Sequence, residues 1–189
     1  MKCSGKELEA LGGGIIRCRK CPLHKSRAHA VPGEGDPCAR VMLVGEAPGE
    51  KEDLLGRPFM GRTGEFFTRF LQEAGLDRGG LFITSAVKCR PPENRNPSDT
   101  ELSICYRAWL EKQIEALNPA CVVLMGKAAL RQVFGKEETL KEVHGSIRKQ
   151  AGREYLITYH PTAGMRFPDV RTRMQEDFVK VREYACRNA

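Results

Sequence analysis

Four of the eight cysteines in this 189-residue chain fall into a pattern that can do chemistry. Cys18-Arg19-Lys20-Cys21-Pro22 is a C-x-x-C followed by proline, a spacing that serves zinc, redox exchange and iron–sulfur clusters alike. Cys89 and Cys105 make a second pair with fifteen residues between them. Cys89 leaves an expected strand, and Cys105 lies about two turns into an expected helix, so the proline-rich loop between them can bring both thiolates to one point. Four thiolates satisfy tetrahedral Zn²⁺ or a [4Fe–4S] cluster equally well, and spacing alone does not choose. The plainer reading of Cys105 is a small apolar core residue on its helix. Cys3, Cys38, Cys121 and Cys186 show no partner pattern, and Cys121, within a strand, is expected in the core.

The elements that must position these residues alternate. Short β-branched runs at Val41–Val44, Leu81–Val87, Cys121–Met125 and Tyr155–Tyr159 read as strands buried on both faces. Helical spacing runs from Gly64 to Ala74, through Phe66, Phe67, Phe70 and Leu71, with Gly75 as the stop. Ser98-Asp99-Thr100-Glu101 fits a capping box that opens a helix ending before Pro119. Lys127–Phe134 and Arg171–Ala185 read as two more helices. Strand–helix alternation predicts a single α/β domain over residues 1–189, three layers (α/β/α) around a central parallel sheet. Ligands then belong at the carboxyl ends of the strands. Those ends carry Gly45-Glu46-Ala47-Pro48-Gly49, Lys88-Cys89-Arg90-Pro91-Pro92 and His160-Pro161-Thr162-Ala163-Gly164.

Composition narrows the classes. Hydrophobic content of 41% with 29% charged residues is that of a globular chain and excludes a disordered tail. No apolar run approaches the ~20 residues of a membrane span, and Met1-Lys2-Cys3-Ser4-Gly5 lacks a secretory signal. The expected location is therefore cytoplasmic, where structural disulfides are rare. Lys+Arg 31 against Asp+Glu 24 gives a net charge of +7, compatible with nucleic acid and equally with simple solubility.

Several of these stretches occur together, in order, in one family. Cys18-x-x-Cys21-Pro22-Leu23, Gly45-Glu46-Ala47-Pro48-Gly49 with Glu52-Asp53, and Gly56-Arg57-Pro58-Phe59 with Gly61 and Gly64 resemble the family 4 uracil-DNA glycosylases. Val87-Lys88-Cys89-Arg90-Pro91-Pro92, Asn94-Arg95, Cys105 and His160-Pro161 continue the match, which runs from about residue 8 to about residue 180. The resemblance implies an α/β/α fold with a four-stranded parallel sheet and a [4Fe–4S] cluster held by Cys18, Cys21, Cys89 and Cys105. The cluster's implied role is structural, tying the N-terminal segment to the body. The implied activity is monofunctional hydrolysis of the N-glycosidic bond of uracil, or a related deaminated base, at the start of base excision repair. The implied partner is DNA, single-stranded or duplex with the base flipped out, with no membrane and the protein acting as a monomer.

The resemblance also distributes roles. Glu46 and Ala47 fall on the catalytic loop, where a carboxylate is suited to hold a water or stabilise a cationic sugar. His160 is placed to donate to uracil O2 as negative charge grows on the leaving base. Phe59 would stack on the base, and Glu52 lies where a C5-methyl group would clash. Met165 is a candidate wedge, and Arg90, Arg95 and Arg166 are candidate phosphate contacts. The plainer readings are a loop phenylalanine tucked on the core, surface carboxylates and a hydrogen-bonded structural histidine.

One position departs from the pattern. The family carries a base-reading asparagine four residues before the third cluster cysteine, and here that residue is Ser85. An asparagine amide donates to O4 and accepts from N3–H, whereas a serine hydroxyl is shorter, rotates, and cannot fix both bonds at once. The departure predicts weakened uracil reading. It leaves two alternatives: an enzyme redirected toward another deaminated base such as hypoxanthine or xanthine, or a weakly active or inactive iron–sulfur relative that binds nucleic acid.

Overall fold

The computed structural model describes residues 4–135 and 138–186; Cys3 lies outside them. The chain opens with α1 (Gly5–Ile16), then β1 (Glu34–Gly35), β2 (Val41–Gly45), α2 (Glu50–Leu55), α3 (Arg62–Glu73) and β3 (Phe82–Ser85). There follow α4 (Asp99–Cys105) and α5 (Glu111–Leu117), joined through a π-helical turn (Tyr106–Leu110), then β4 (Cys121–Met125), α6 (Lys127–Phe134) and α7 (Leu140–Val143). The chain ends with β5 (Ile147–Gln150), β6 (Arg153–Thr158), α8 (Pro161–Arg166) and α9 (Pro168–Cys186).

The six strands form one sheet in the order β1-β3-β2-β4-β6-β5. The four inner strands are parallel, as the buried apolar runs predict, and the outer two pair antiparallel. Four strands are thus the heart of the sheet, extended to six by short edges that composition does not announce. The β5–β6 edge is a hairpin whose two turn residues, Ala151 and Gly152, both have positive φ, the twist that a two-residue hairpin needs.

Alternation along the strands divides the core. Met42 and Val44 of β2 pack with Leu8, Ile15, Leu102, Ile114 and Val122 under α1 and α4–α5. Val41 and Leu43 face Phe66, Phe67, Phe70 and Phe178 under α3 and α9. Successive strand side chains point to opposite faces, so two helical layers enclose one sheet, as expected. Cys121 is fully buried in the second cluster.

Local chemistry sets the boundaries. Glu101 N–H donates to Ser98 Oγ at 3.2 Å, and the Glu101 carboxylate accepts from Ser98 N–H at 2.8 Å, so the expected capping box opens α4. α1 was not among the expected helices because Gly12-Gly13-Gly14 lowers helix propensity. Its packing supplies the reason: a Cβ on Gly14 would lie 2.8 Å from Trp109 Cη2, so only glycine lets the indole close on the helix. Among the described residues, no helix is long and apolar enough to cross a membrane.

Candidate active site

The carboxyl ends of the parallel strands converge on one cleft of about 480 Å³. Its walls are the 46–49 loop after β2, Pro91, Asn94 and Arg95 after β3, and His160, Thr162, Ala163, Arg166 and Phe167 after β6. The sequence-predicted residues Glu46, Ala47, Arg95, His160 and Arg166 are therefore brought together.

Phe59 does not itself line this cleft but packs on His160, which does, and two glycines make room for it there. A Cβ on Gly45 would lie 2.8 Å from Phe59 Cζ, and one on Gly64 would lie 1.9 Å from the Phe59 carbonyl oxygen. Phe59 itself adopts a positive φ of 53°, a costly conformation for a bulky residue that persists where its surroundings over-determine it. The ring packs 5.0 Å from Phe67 and stacks at 5.8 Å from His160, with one side against the core. Phe59 thus bridges the core and His160.

His160 caps α8. Thr162 N–H donates to His160 Nδ1 at 3.2 Å, with Thr162 Oγ1 3.0 Å from the same nitrogen. Nδ1 must then be the acceptor, so the proton of the neutral ring sits on Nε2. Burial pulls the ring's pKa down to about 4, against a smaller upward pull from Glu52. The residue is a neutral Nε2–H donor at physiological pH.

Glu46 faces the same cleft with a half-buried carboxylate that makes no hydrogen bond within the described residues. Burial raises its pKa above the usual carboxylate range, and Arg131 partly offsets the rise. Glu52, by contrast, has its carboxylate fully engaged by backbone amides. Its carboxylate accepts from Gly49 N–H at 3.1 Å, Met60 N–H at 2.6 Å and Gly61 N–H at 2.9 Å, lashing the 46–49 loop to the segment after Phe59.

Ser85 ends β3 directly beside Gly45 in the sheet register. It is 5% exposed, and its hydroxyl has no partner within the described residues. Beneath it the buried Lys88 donates from Nζ to Thr84 Oγ1 at 2.6 Å and to the Ser85 carbonyl at 2.8 Å, fixing the strand end.

The cations divide. Arg166 is exposed and unpartnered within the described residues. Arg90 donates to Asn94 Oδ1 at 2.8 Å. Arg95 forks onto Glu101 at 2.9 and 2.7 Å, so its charge is already compensated at the rim. Met165 is exposed but does not line the cleft.

Cys18, Cys21, Cys89 and Cys105 form one neighbourhood, in which the charge of Cys18 acts on Cys21 and those of Cys21 and Cys89 act on Cys105. Among the described residues, no three His, Cys, Asp or Glu side chains draw close enough to hold a single metal ion. Two donors that sequence reasoning missed point at the sulfurs. Arg27 Nη1 donates to Cys89 Sγ at 2.8 Å while Nη2 holds the Ile16 and Cys18 carbonyls, and Trp109 Nε1 donates to Cys18 Sγ at 3.1 Å. Of the other cysteines, Cys186 is exposed and Cys38 is disulfide-bonded, the latter against the compartment-based expectation.

The uracil DNA glycosylase superfamily profile matches residues 32–185. A type-4 uracil-DNA glycosylase of Sulfurisphaera tokodaii is 42% identical over 190 aligned positions, covering 94% of this chain and 84% of that protein. The chain belongs to the type-4 uracil-DNA glycosylases. A type-4 protein of Pyrobaculum aerophilum is 44% identical, covering 90% of this chain and 91% of its own. One from Thermotoga maritima is 38% identical, covering 94% of each. In this type-4 chain the segment after β3 carries Cys89 first and then the cleft residues Pro91, Asn94 and Arg95.

Proposed function

We propose that this protein is a DNA glycosylase that hydrolyses the N-glycosidic bond of uracil in DNA and so initiates base excision repair. The observation that carries the reading is the pairing, in one cleft, of a neutral His160 whose Nε2 bears the proton with the unpartnered, half-buried carboxylate of Glu46. A flipped base seated against Phe59 presents its O2 to Nε2–H. As the C1′–N1 bond breaks, the electron pair moves onto the base, and a donor already aimed at that oxygen stabilises the charge without reorganising. Glu46 holds a water on the sugar side and accepts its proton as oxygen bonds to C1′. The products are an abasic sugar and the free base, the latter finally protonated. No step calls for a Schiff base, so the enzyme acts as a monofunctional hydrolase.

Cys18, Cys21, Cys89 and Cys105 are proposed as ligands of a [4Fe–4S] cluster. N–H donors from Arg27 and Trp109 suit thiolates that carry the negative charge of such a cluster. When bound, the cluster supplies a cross-link between the N-terminal segment and the loop after β3.

Base reading at Ser85 is proposed to be looser than the family's asparagine allows. A base-release assay on single-stranded and duplex oligonucleotides containing uracil, hypoxanthine, xanthine or mismatched thymine tests the whole reading. Release of uracil is the expected outcome. Release of none of the four, with DNA still bound, overturns the enzymatic assignment in favour of a nucleic-acid-binding relative.

A further inference from the structure

Of the eight phenylalanines, seven pack on the two core clusters. Phe167 is the exception, 58% exposed, with no aromatic or cation–π contact within the described residues. A lone exposed apolar side chain is ordinary. This one is distinguished by its place and its mounting. It forms part of the lining of the strand-end cleft, in line with His160, Thr162, Ala163 and Arg166.

The mounting is rigid. Phe167 is the single residue between α8 and α9. Its N–H donates to the Ala163 carbonyl at 2.9 Å, and its carbonyl accepts from Arg171 N–H at 3.1 Å. Pro168 follows, and a residue before proline is restricted to extended backbone, as the φ of −124° and ψ of 112° show. The backbone under an exposed ring is thus fixed from both sides. Met165, two residues earlier, is also exposed. Residues two apart on a helix do not share a face, and Met165 does not line the cleft whereas Phe167 does. The two are separate contacts rather than one wedge.

We propose that Phe167 is a stacking platform for the base adjacent to the flipped nucleotide on the same strand, and that it makes unpaired DNA a preferred substrate. The inference rests on the glycosylase reading of the cleft. Arg166, beside the ring and unpartnered, supplies charge complementary to the connecting phosphate. A base in a duplex is already stacked on its neighbours, whereas an unpaired base gains a face by meeting Phe167. Base–aromatic stacking is sequence-tolerant because every base has a π-face.

The test is steady-state kinetics on single-stranded uracil oligonucleotides, with direct binding measured on the same strands. Phe167→Ala is expected to raise KM about 10-fold, as loss of one base–aromatic stack implies, with kcat nearly unchanged. Phe167→Tyr restores the wild-type KM, and Phe167→Leu, apolar but without a π-face, does not. Replacing the flanking nucleotide by an abasic analogue, on one side and then the other, abolishes the difference between wild type and Phe167→Ala on one of them. An unchanged KM for Phe167→Ala, or a defect that persists with both abasic flanks, overturns the proposal. Absence of base release by the wild-type protein overturns the glycosylase reading instead. The Phe167 comparison is then read from binding affinity, where equal affinities for wild type and Phe167→Ala overturn it too.

Discussion

The backbone N–H of Thr162 donates to His160 Nδ1 at 3.2 Å, and this one bond decides which ring nitrogen faces the cleft with a proton. The helix cap and the choice of ring tautomer are the same interaction. His160→Ala is expected to lower kcat about 10²–10³-fold, the range for removing one donor to a developing oxyanion. DNA affinity should stay near wild type in a binding assay. Undiminished base release would remove His160 from the mechanism.

The pH profile should show an acid limb set by Glu46. Its carboxyl is raised by burial, so activity is full above that raised value and falls as pH drops through it, at a higher pH than an ordinary carboxylate would give. His160, at about 4, stays neutral throughout that limb. Glu46→Gln should lower kcat and flatten the limb in a pH–rate measurement.

Stability carries its own signature of His160. The folded state disfavours its protonated form, so the unfolded chain binds more protons between the ordinary value of 6.5 and about 4. This group's contribution is present above pH 6.5 and is lost as pH falls toward 4. His160→Gln should therefore lose less stability than wild type over that interval, read from urea unfolding at successive pH values.

Ser85→Asn is expected to raise uracil excision about 10-fold on single-stranded and mismatched DNA, since a good bidentate base contact is worth ~1–3 kcal/mol of discrimination. The readout is kcat/KM for uracil against hypoxanthine. Excision of uracil no faster than wild type would sink this account of Ser85.

Gly45→Ala puts a methyl carbon 2.8 Å from Phe59 Cζ, which forces the ring off its seat. Base release should fall at least 10-fold while thermal unfolding shifts little, because one face of Phe59 already lies outside the core. A matching collapse of Tm would show that the ring's packing, rather than the base slot, is what Gly45 protects.

Much of this was legible beforehand because it depends on local pattern. The four inner strands are uninterrupted apolar runs, and the Ser98–Glu101 box is a four-residue code, so both could be read from single segments. The parts that stayed hidden depend on distance in space. Nothing near Arg27 or Trp109 in the sequence marks them as sulfur donors, since their partners are 62 and 91 residues away. The α1 glycines look like a helix breaker until Trp109 arrives to need the space. Glu52 shows in sequence only as a carboxylate near the base-side loop, and its bonds to backbone amides of two loops appear only in the fold. Arg95 was expected on phosphate, and its fork is engaged by Glu101. A charged residue's type is visible in sequence, whereas which partner reaches it first is settled only by packing.

The strand order also sets a dimension. Ser85 ends β3 and His160 follows β6, with β2 and β4 between them. Three strand intervals of ~4.8 Å place the two backbones about 14 Å apart. Ladder hydrogen bonds make that interval a fixed gauge, like the jaws of a caliper locked at one setting. Because the jaws cannot close, any change of side-chain length at either tip is passed in full to the object between them. A serine at the β3 tip thus leaves more of that interval open than a longer side chain would.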